Sequence, residues 1–185
     1  MSVTKDEIIK ASIRVLKREG AAGLSMRTLA KELDIKASSL YNHIDSRQEL
    51  YEEIAEYICT FFVMPTNWSS PADFLIQSCI AYRTMLKSVQ GCAPIFAESI
   101  ADAGRRMEIR RAMADKCLEL GVIPENIPII TNMLIGYTLS FTADEYRHSY
   151  TPASDAQINH ERQFLFGLQV IIAGAESTRN QSVQA

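Results

Sequence analysis

The sequence has little of what a membrane, metal-dependent or catalytic protein displays. No apolar run approaches the roughly 18 residues that a membrane-spanning helix requires. The opening stretch MSVTKDEIIK puts charges where a secretion signal would place its apolar core, so a cytoplasmic chain is expected. The four cysteines (Cys59, Cys79, Cys92, Cys117) show no CxxC or zinc-finger spacing. Such thiols are most often small buried hydrophobes, and a thiol-based redox regulator is the alternative. His43, His148 and His160 stand far apart and share no ligand spacing with the cysteines. No metal and no cofactor are therefore expected. There is no Ser–His–acid spacing and no glycine-rich phosphate loop, and Asp144, Glu145 and Glu161 fit solvated helix faces. An enzyme is not expected. Strand-like alternation, repeats and low-complexity segments are also missing.

What is present is an ordinary globular composition. The 185 residues are 47% apolar and 22% charged, enough for one or two domains with a real core. The net charge of −3 is unevenly spread. Residues 1–50 hold nine Lys/Arg against seven Asp/Glu, and the remainder holds ten against fifteen. That asymmetry points any nucleic-acid face toward the N-terminal third. It is modest, so non-specific affinity should be weak and salt-sensitive.

Residues 25–43 read as helix, turn, helix. Leu29, Ala30 and Leu33 recur at helical spacing, and Asp34-Ile35-Lys36 supplies a polar turn with one apolar plug. Leu40 and Ile44, four apart, anchor a second helix over 37–44. Its outward side is Ala37, Ser38, Ser39, Tyr41, Asn42 and His43, with no carboxylate among them. Small residues and hydrogen-bonding groups suit a helix that enters a DNA major groove. An ordinary helical hairpin with a polar outer face is the alternative. The motif Leu29-Ala30-x-x-Leu33-x-Ile35, followed by Ser39-Leu40-Tyr41-x-His43-Ile44 and Arg47, resembles the TetR family of bacterial transcriptional regulators. The likeness runs from Leu24 to Leu50. It implies an all-α chain with an N-terminal three-helix DNA-binding domain and a C-terminal helical domain for ligand binding and dimerisation. DNA contacts are then expected from Ser25, Arg27, Thr28, Lys36, Ala37, Ser38, Ser39, Tyr41, Asn42, His43 and Arg47.

The remaining pattern is helical throughout. Thr4 and Glu7 form a capping box for a helix that stops at Gly20, with Ile9, Ile13 and Leu16 as its buried stripe. Ser25 caps the second helix. Ser46, with Glu49, caps a fourth helix running to about Phe62, whose free N–H groups suit a phosphate. Residues 64–70 break the pattern, and Ser70-Pro71-x-Asp73 starts a helix to Gly91. Short helices follow at 93–101 and 105–120. A long one runs from Pro124 to about His148, and a last one, capped by Ser154 and Gln157, ends near Gly174. The expected organisation is a DNA-binding domain over 1–50, a linking helix over 51–63, a body over 64–176 and a flexible tail over 177–185.

The last helix is apolar over more than one face, so it needs cover on two sides: a second copy of the chain, or the rest of its own domain. Its sequence is similar to the C-terminal helix of the tetracycline-repressor branch, as is Gly136-Tyr137-Thr138-Leu139. That similarity implies a homodimer joined through Ile135, Leu139, Phe164, Gly167, Leu168, Ile171 and Ile172. It also implies a body that binds a small-molecule effector and releases a palindromic operator in double-stranded DNA. The magnesium-binding histidines of that branch fall near Ile95 and Gly136, which argues against tetracycline. Mostly apolar residues remain to line a pocket: Tyr82, Met85, Ile95, Phe96, Met113, Tyr137 and Phe141, with Gln77, Ser78 and Asn132 as polar fixers. A hydrophobic effector is expected. A ligand-independent DNA-binding protein of the same fold is the alternative.

Overall fold

The computed structural model describes residues 3–99, 103–148 and 156–178, and no strand occurs among them. The loop expected at 149–152, the Ser154 cap and residues 179–185 of the expected tail lie outside the described residues. The helices are α1 (Lys5–Gly23), α2 (Met26–Glu32), α3 (Ala37–Leu40), α4 (Arg47–Cys59), α5 (Pro71–Ser88), α6 (Ala93–Glu98), α7 (Gly104–Glu119), α8 (Ile127–His148) and α9 (Ala156–Ser177). A 3-10 turn, Pro124–Asn126, precedes α8. The chain forms two compact units, Met1–Phe61 with Met85–Asp102, and Phe62–Thr84 with Ala103–Ala185.

In the first unit, Thr4 starts α1. Its hydroxyl accepts the Glu7 N–H at 3.3 Å, and the Glu7 carboxylate accepts the Thr4 N–H at 2.8 Å. Ile8, Ala11, Val15 and Leu16 are fully buried. Ile13, expected in that stripe, is only half-buried, because the inward side is centred on Ile8 and Val15. Gly20 breaks the helical path at φ +68, a conformation that other residues resist. Gly91 adopts φ +77 beside it, where an added Cβ would lie 3.1 Å from the Gly20 Cα. Leu29, Leu40, Ile44, Ile54 and Ile58 complete a core without solvent exposure. Each such side chain contributes about 1.5–3 kcal/mol on burial.

The second unit is organised around α8 and α9, with α5 and α7 packed on it. Arg83 on α5 pairs bidentately with Glu145 on α8, with Nε donating to Oε2 at 2.7 Å. The guanidinium also lies over the Phe164 ring of α9 at 4.8 Å and the Phe141 ring at 5.7 Å. Tyr137 stacks on Phe164, with centroids 5.7 Å apart and planes 6° from parallel. One part-buried ion pair roofed by aromatics thus joins three helices, and its charges are compensated inside the unit. Thr138 and Thr142 donate to the carbonyls of Leu134 and Thr138.

Candidate nucleic-acid interface

The turn between α2 and α3 is built from backbone hydrogen bonds. Asp34 N–H donates to the Lys31 carbonyl at 3.3 Å and Ile35 N–H to the Ala30 carbonyl at 3.0 Å. Asp34 sits at φ +53 between them. This is the paired-bond stop that closes helices with a left-handed residue, and an aspartate fills the place usually held by glycine. The Ser25 hydroxyl accepts the Thr28 N–H at 3.1 Å and bonds the Thr28 hydroxyl at 2.8 Å. These two expected DNA contacts therefore also cap α2. Helix α3 is one turn long, shorter than expected over 37–44, and has no side-chain cap. Residues 41–43 continue as a turn in which Ile44 N–H reaches the Leu40 carbonyl at 3.0 Å. Leu40 and Ile44 are fully buried, as the spacing predicts.

All eleven expected contact residues stand within residues 25–47, and none is buried. Tyr41 is 52% exposed. Lys36, Ala37, Ser38, Asn42, Ser25 and Arg27 are exposed, and Thr28, Ser39 and His43 are half-buried. The charges of this region are sorted. The Glu32 carboxylate accepts from Arg14 Nε at 3.0 Å and Arg18 Nη1 at 3.1 Å, and these bonds, Arg14's first, hold it below the usual carboxylate range. Lys10 pairs with Asp6, and Lys5 donates to Glu53 at 2.6 Å and to Glu49 at 3.1 Å. The cations of α1, apart from Lys17, are thus answered by acids inside the unit. Among the described residues, no ion pair engages Arg27, Lys31 or Lys36. The uncompensated positive charge gathers at the reading pair and its turn. A shallow groove lined by Lys5, Asp6, Ile9, Glu53, Glu56, Tyr57 and Thr60 carries three acids and one lysine.

Arg47 has partners that the sequence reading omits. The Tyr51 hydroxyl oxygen accepts from its Nε at 3.0 Å and its Nη2 at 2.5 Å, and the guanidinium lies 4.8 Å from the Tyr51 ring centroid. Glu98 stands 3.9 Å from Nη2. The four-residue spacing from Arg47 to Tyr51 is a signal that sequence can carry; the contact with Glu98 is not. Ser46 caps α4 by accepting the Glu49 N–H at 3.1 Å, but the Glu49 carboxylate reaches back to the Asp45 N–H at 2.6 Å and not to Ser46.

The expected effector residues are divided between the units. Met85, Ile95 and Phe96 lie in the first; Gln77, Ser78, Tyr82, Met113, Asn132, Tyr137 and Phe141 lie in the second. Ser78 is 1% exposed and its Oγ has no hydrogen-bond partner among the described residues. Asn132, expected to face a pocket, is exposed and accepts from Arg110, because its position on α8 points outward. Gln77 is likewise spent on Asp73, at 3.0 Å. Among the described residues, no group of three His, Cys, Asp or Glu could hold a metal ion, and no helix is long and apolar enough to cross a membrane.

Of the residues expected at a subunit interface, Phe164 and Leu168 are fully buried and Ile172 is 4% exposed, all inside the chain's own core. Gly167 backs onto the Tyr137 ring, and Ile135, Leu139 and Ile171 are half-buried. The exposed apolar positions are Ile129 and Met133 on α8 and Phe166 and Val170 on α9. All four cysteines are buried. Burial pushes the thiols of Cys79 and Cys92 up to about 12, which makes them poor nucleophiles.

Residues 8–54 match the family model for bacterial regulatory proteins of the tetR family. The segment from Ile8 to Ile54 is thus a TetR-type DNA-binding domain. Over 74 residues it is 32% identical to the biofilm operon icaADBC HTH-type negative transcriptional regulator IcaR of Staphylococcus epidermidis, spanning 40% of this chain and 35% of that protein. The match takes in little more than a third of that relative. Mycobacterium smegmatis BioQ superimposes with a TM-score of 0.82 at 28% identity, covering 95% of this chain and 99% of BioQ. Streptomyces coelicolor ActR shares the fold with a TM-score of 0.82 at 21% identity, covering 98% and 99%. The TetR-type helix-turn-helix is thus the part of the chain that carries the family likeness.

Proposed function

We propose that this chain is a homodimeric TetR-family transcriptional repressor that binds a palindromic operator and is released by a small hydrophobic effector. The observation that carries the DNA reading is the charge sorting. Acids inside the unit neutralise most cations of α1, while Arg27, Lys31 and Lys36 flank a polar, exposed α3 without intramolecular anions. Phosphate oxygens supply the missing counter-charge. The structure of BioQ with its double-stranded DNA operator, at 28% identity, supports the same use of the fold.

Dimerisation is supported by the outward sides of α8 and α9. Ile129, Met133, Phe166 and Val170 are each about half exposed or more, and Gly136 and Gly174 have open space where a Cβ would stand. Four large apolar side chains on two adjoining helices suit burial against a second copy. The effector reading rests on Ser78, a buried hydroxyl without a partner, amid apolar neighbours on the same stripe, Phe74 and Tyr82. ActR in complex with actinorhodin, an example of this fold at 21% identity or so, is consistent with a ligand-binding body.

The test is selection of genomic DNA fragments by the purified full chain at moderate salt. Enrichment of one inverted-repeat site, bound with two chains per site, is the expected result. Diffuse, salt-labile retention without a repeat would overturn the operator reading.

A further inference from the structure

We propose that Tyr51 aims Arg47 as a phosphate-binding side chain and that Glu98 holds it in check, so that duplex DNA must displace the Glu98 carboxylate to engage it. This rests on the nucleic-acid reading above and assigns roles to two residues outside the helix-turn-helix.

Arg47 opens α4, and its side chain is 64% exposed. A free surface arginine would sample many rotamers and lose that freedom on binding. Here the hydroxyl of Tyr51, a residue 1% exposed and therefore fixed, takes two of its N–H groups, and the ring lies under the guanidinium. The ordering cost is met before any ligand arrives. The second contact opposes binding. Glu98 closes α6, and Gln48 donates to its carbonyl at 3.1 Å, which anchors the Glu98 backbone beside the first turn of α4. The Glu98 carboxylate is 56% exposed and 3.9 Å from Nη2. That separation is beyond a hydrogen bond, so the pair is loose, screened by water and open to exchange for a phosphate. Tyr51 can keep its two bonds while the carboxylate gives way.

The experiment measures affinity of the full chain for a short random-sequence DNA duplex across a salt series. Such a probe reads phosphate contacts without knowledge of the operator. Arg47→Gln should weaken binding and lower the slope of log affinity against log salt by about one. Glu98→Gln should tighten binding by roughly two- to fivefold, and Tyr51→Phe should weaken it. Both of these effects should disappear in the Arg47→Gln background. Equal effects with and without Arg47 would overturn the proposal, since a general charge or folding effect does not depend on that side chain. Melting temperatures identify a Tyr51→Phe chain that has lost its fold. The Glu98 and Arg47 variants, both on exposed side chains, then decide the proposal: no tightening by Glu98→Gln in the unaltered Arg47 background overturns it. Absence of any duplex binding by the unaltered chain at low salt is a separate outcome that overturns the nucleic-acid reading itself.

Discussion

The N–H of Ile35 donates to the carbonyl of Ala30 at 3.0 Å, closing α2 around an aspartate held at φ +53. This bond sets the angle at which the chain enters α3, and with it the position of every expected DNA contact from Lys36 to His43. The strain at Asp34 is maintained because the two buried anchors Leu40 and Ile44 fix the far side of the turn.

Asp34 is thus a position where stability can be gained. Asp34→Gly should raise stability by up to about 1 kcal/mol by removing the left-handed penalty, and Asp34→Val should lower it by about 1–2 kcal/mol. Urea midpoints of the two variants measure this. A Gly variant less stable than the parent would mean that the Asp34 side chain contributes more than its backbone strain costs.

Tyr41 offers the cleanest separation of binding from folding. It is half exposed and makes no hydrogen bond among the described residues. Tyr41→Ala should leave the melting temperature nearly unchanged, within about 0.5 kcal/mol of stability. It should nevertheless cost most of the affinity for the selected operator. Unaltered binding would remove Tyr41 from the interface.

Helix α9 allows its two sides to be told apart. Phe166→Glu should give folded monomers in sedimentation, since Phe166 is 65% exposed in one chain. Leu168→Ala, at a fully buried position, should cost about 2–5 kcal/mol of stability. Loss of dimers from Leu168→Ala at full stability, with Phe166→Glu still dimeric, would place the interface on the other side.

Acid should loosen the first unit through identifiable carboxylates. Glu49 is held below its ordinary value of 4.5 by the Asp45 N–H first and by Lys5 second, and Glu32 by Arg14 and Arg18. A depressed folded pKa gives stability that is present above the unfolded value and lost as pH falls through the folded one. The denaturation midpoint should therefore fall below about pH 4.5, and Glu49→Gln should flatten that slope. The Lys5 side of the contact behaves oppositely. Its raised pKa, owed first to Glu53, makes its share vanish only in strong alkali. A slope identical in Glu49→Gln and the parent would remove Glu49 from the acid response.

Much of this architecture is legible in the sequence because local chemistry decides it. The Thr4–Glu7 box, the Ser25 and Ser46 caps, the stop at Gly20 and the Leu40–Ile44 anchor are interactions between residues at most four apart, or single backbone preferences. Spacing alone encodes them. The polar turn at Asp34 is legible too, although its left-handed backbone is not, since no glycine marks it. The register of α9 could not be read at all. Phe164, Leu168 and Ile172 make one side of the helix apolar and Phe166 and Val170 the opposite side, so periodicity does not say which side turns inward. The inward side is chosen by the stack of Tyr137 on Phe164 and the pair of Arg83 with Glu145, groups far apart in the chain.

Neighbours along the chain dictate the helices, most of their ends and the polar outer face of the reading pair; the early end of α3 at Leu40 is an exception. Which charges remain open depends instead on contacts between distant parts of the chain. Glu32 answers Arg14 and Arg18 across 18 and 14 residues, Lys5 meets Glu49 and Glu53 across 44 and 48, and Arg47 meets Glu98 across the α4–α6 contact. A charge count over residues 1–50 cannot distinguish a cation already paired from one left facing solvent. The Coulomb energy that separates them depends on distances that folding alone sets.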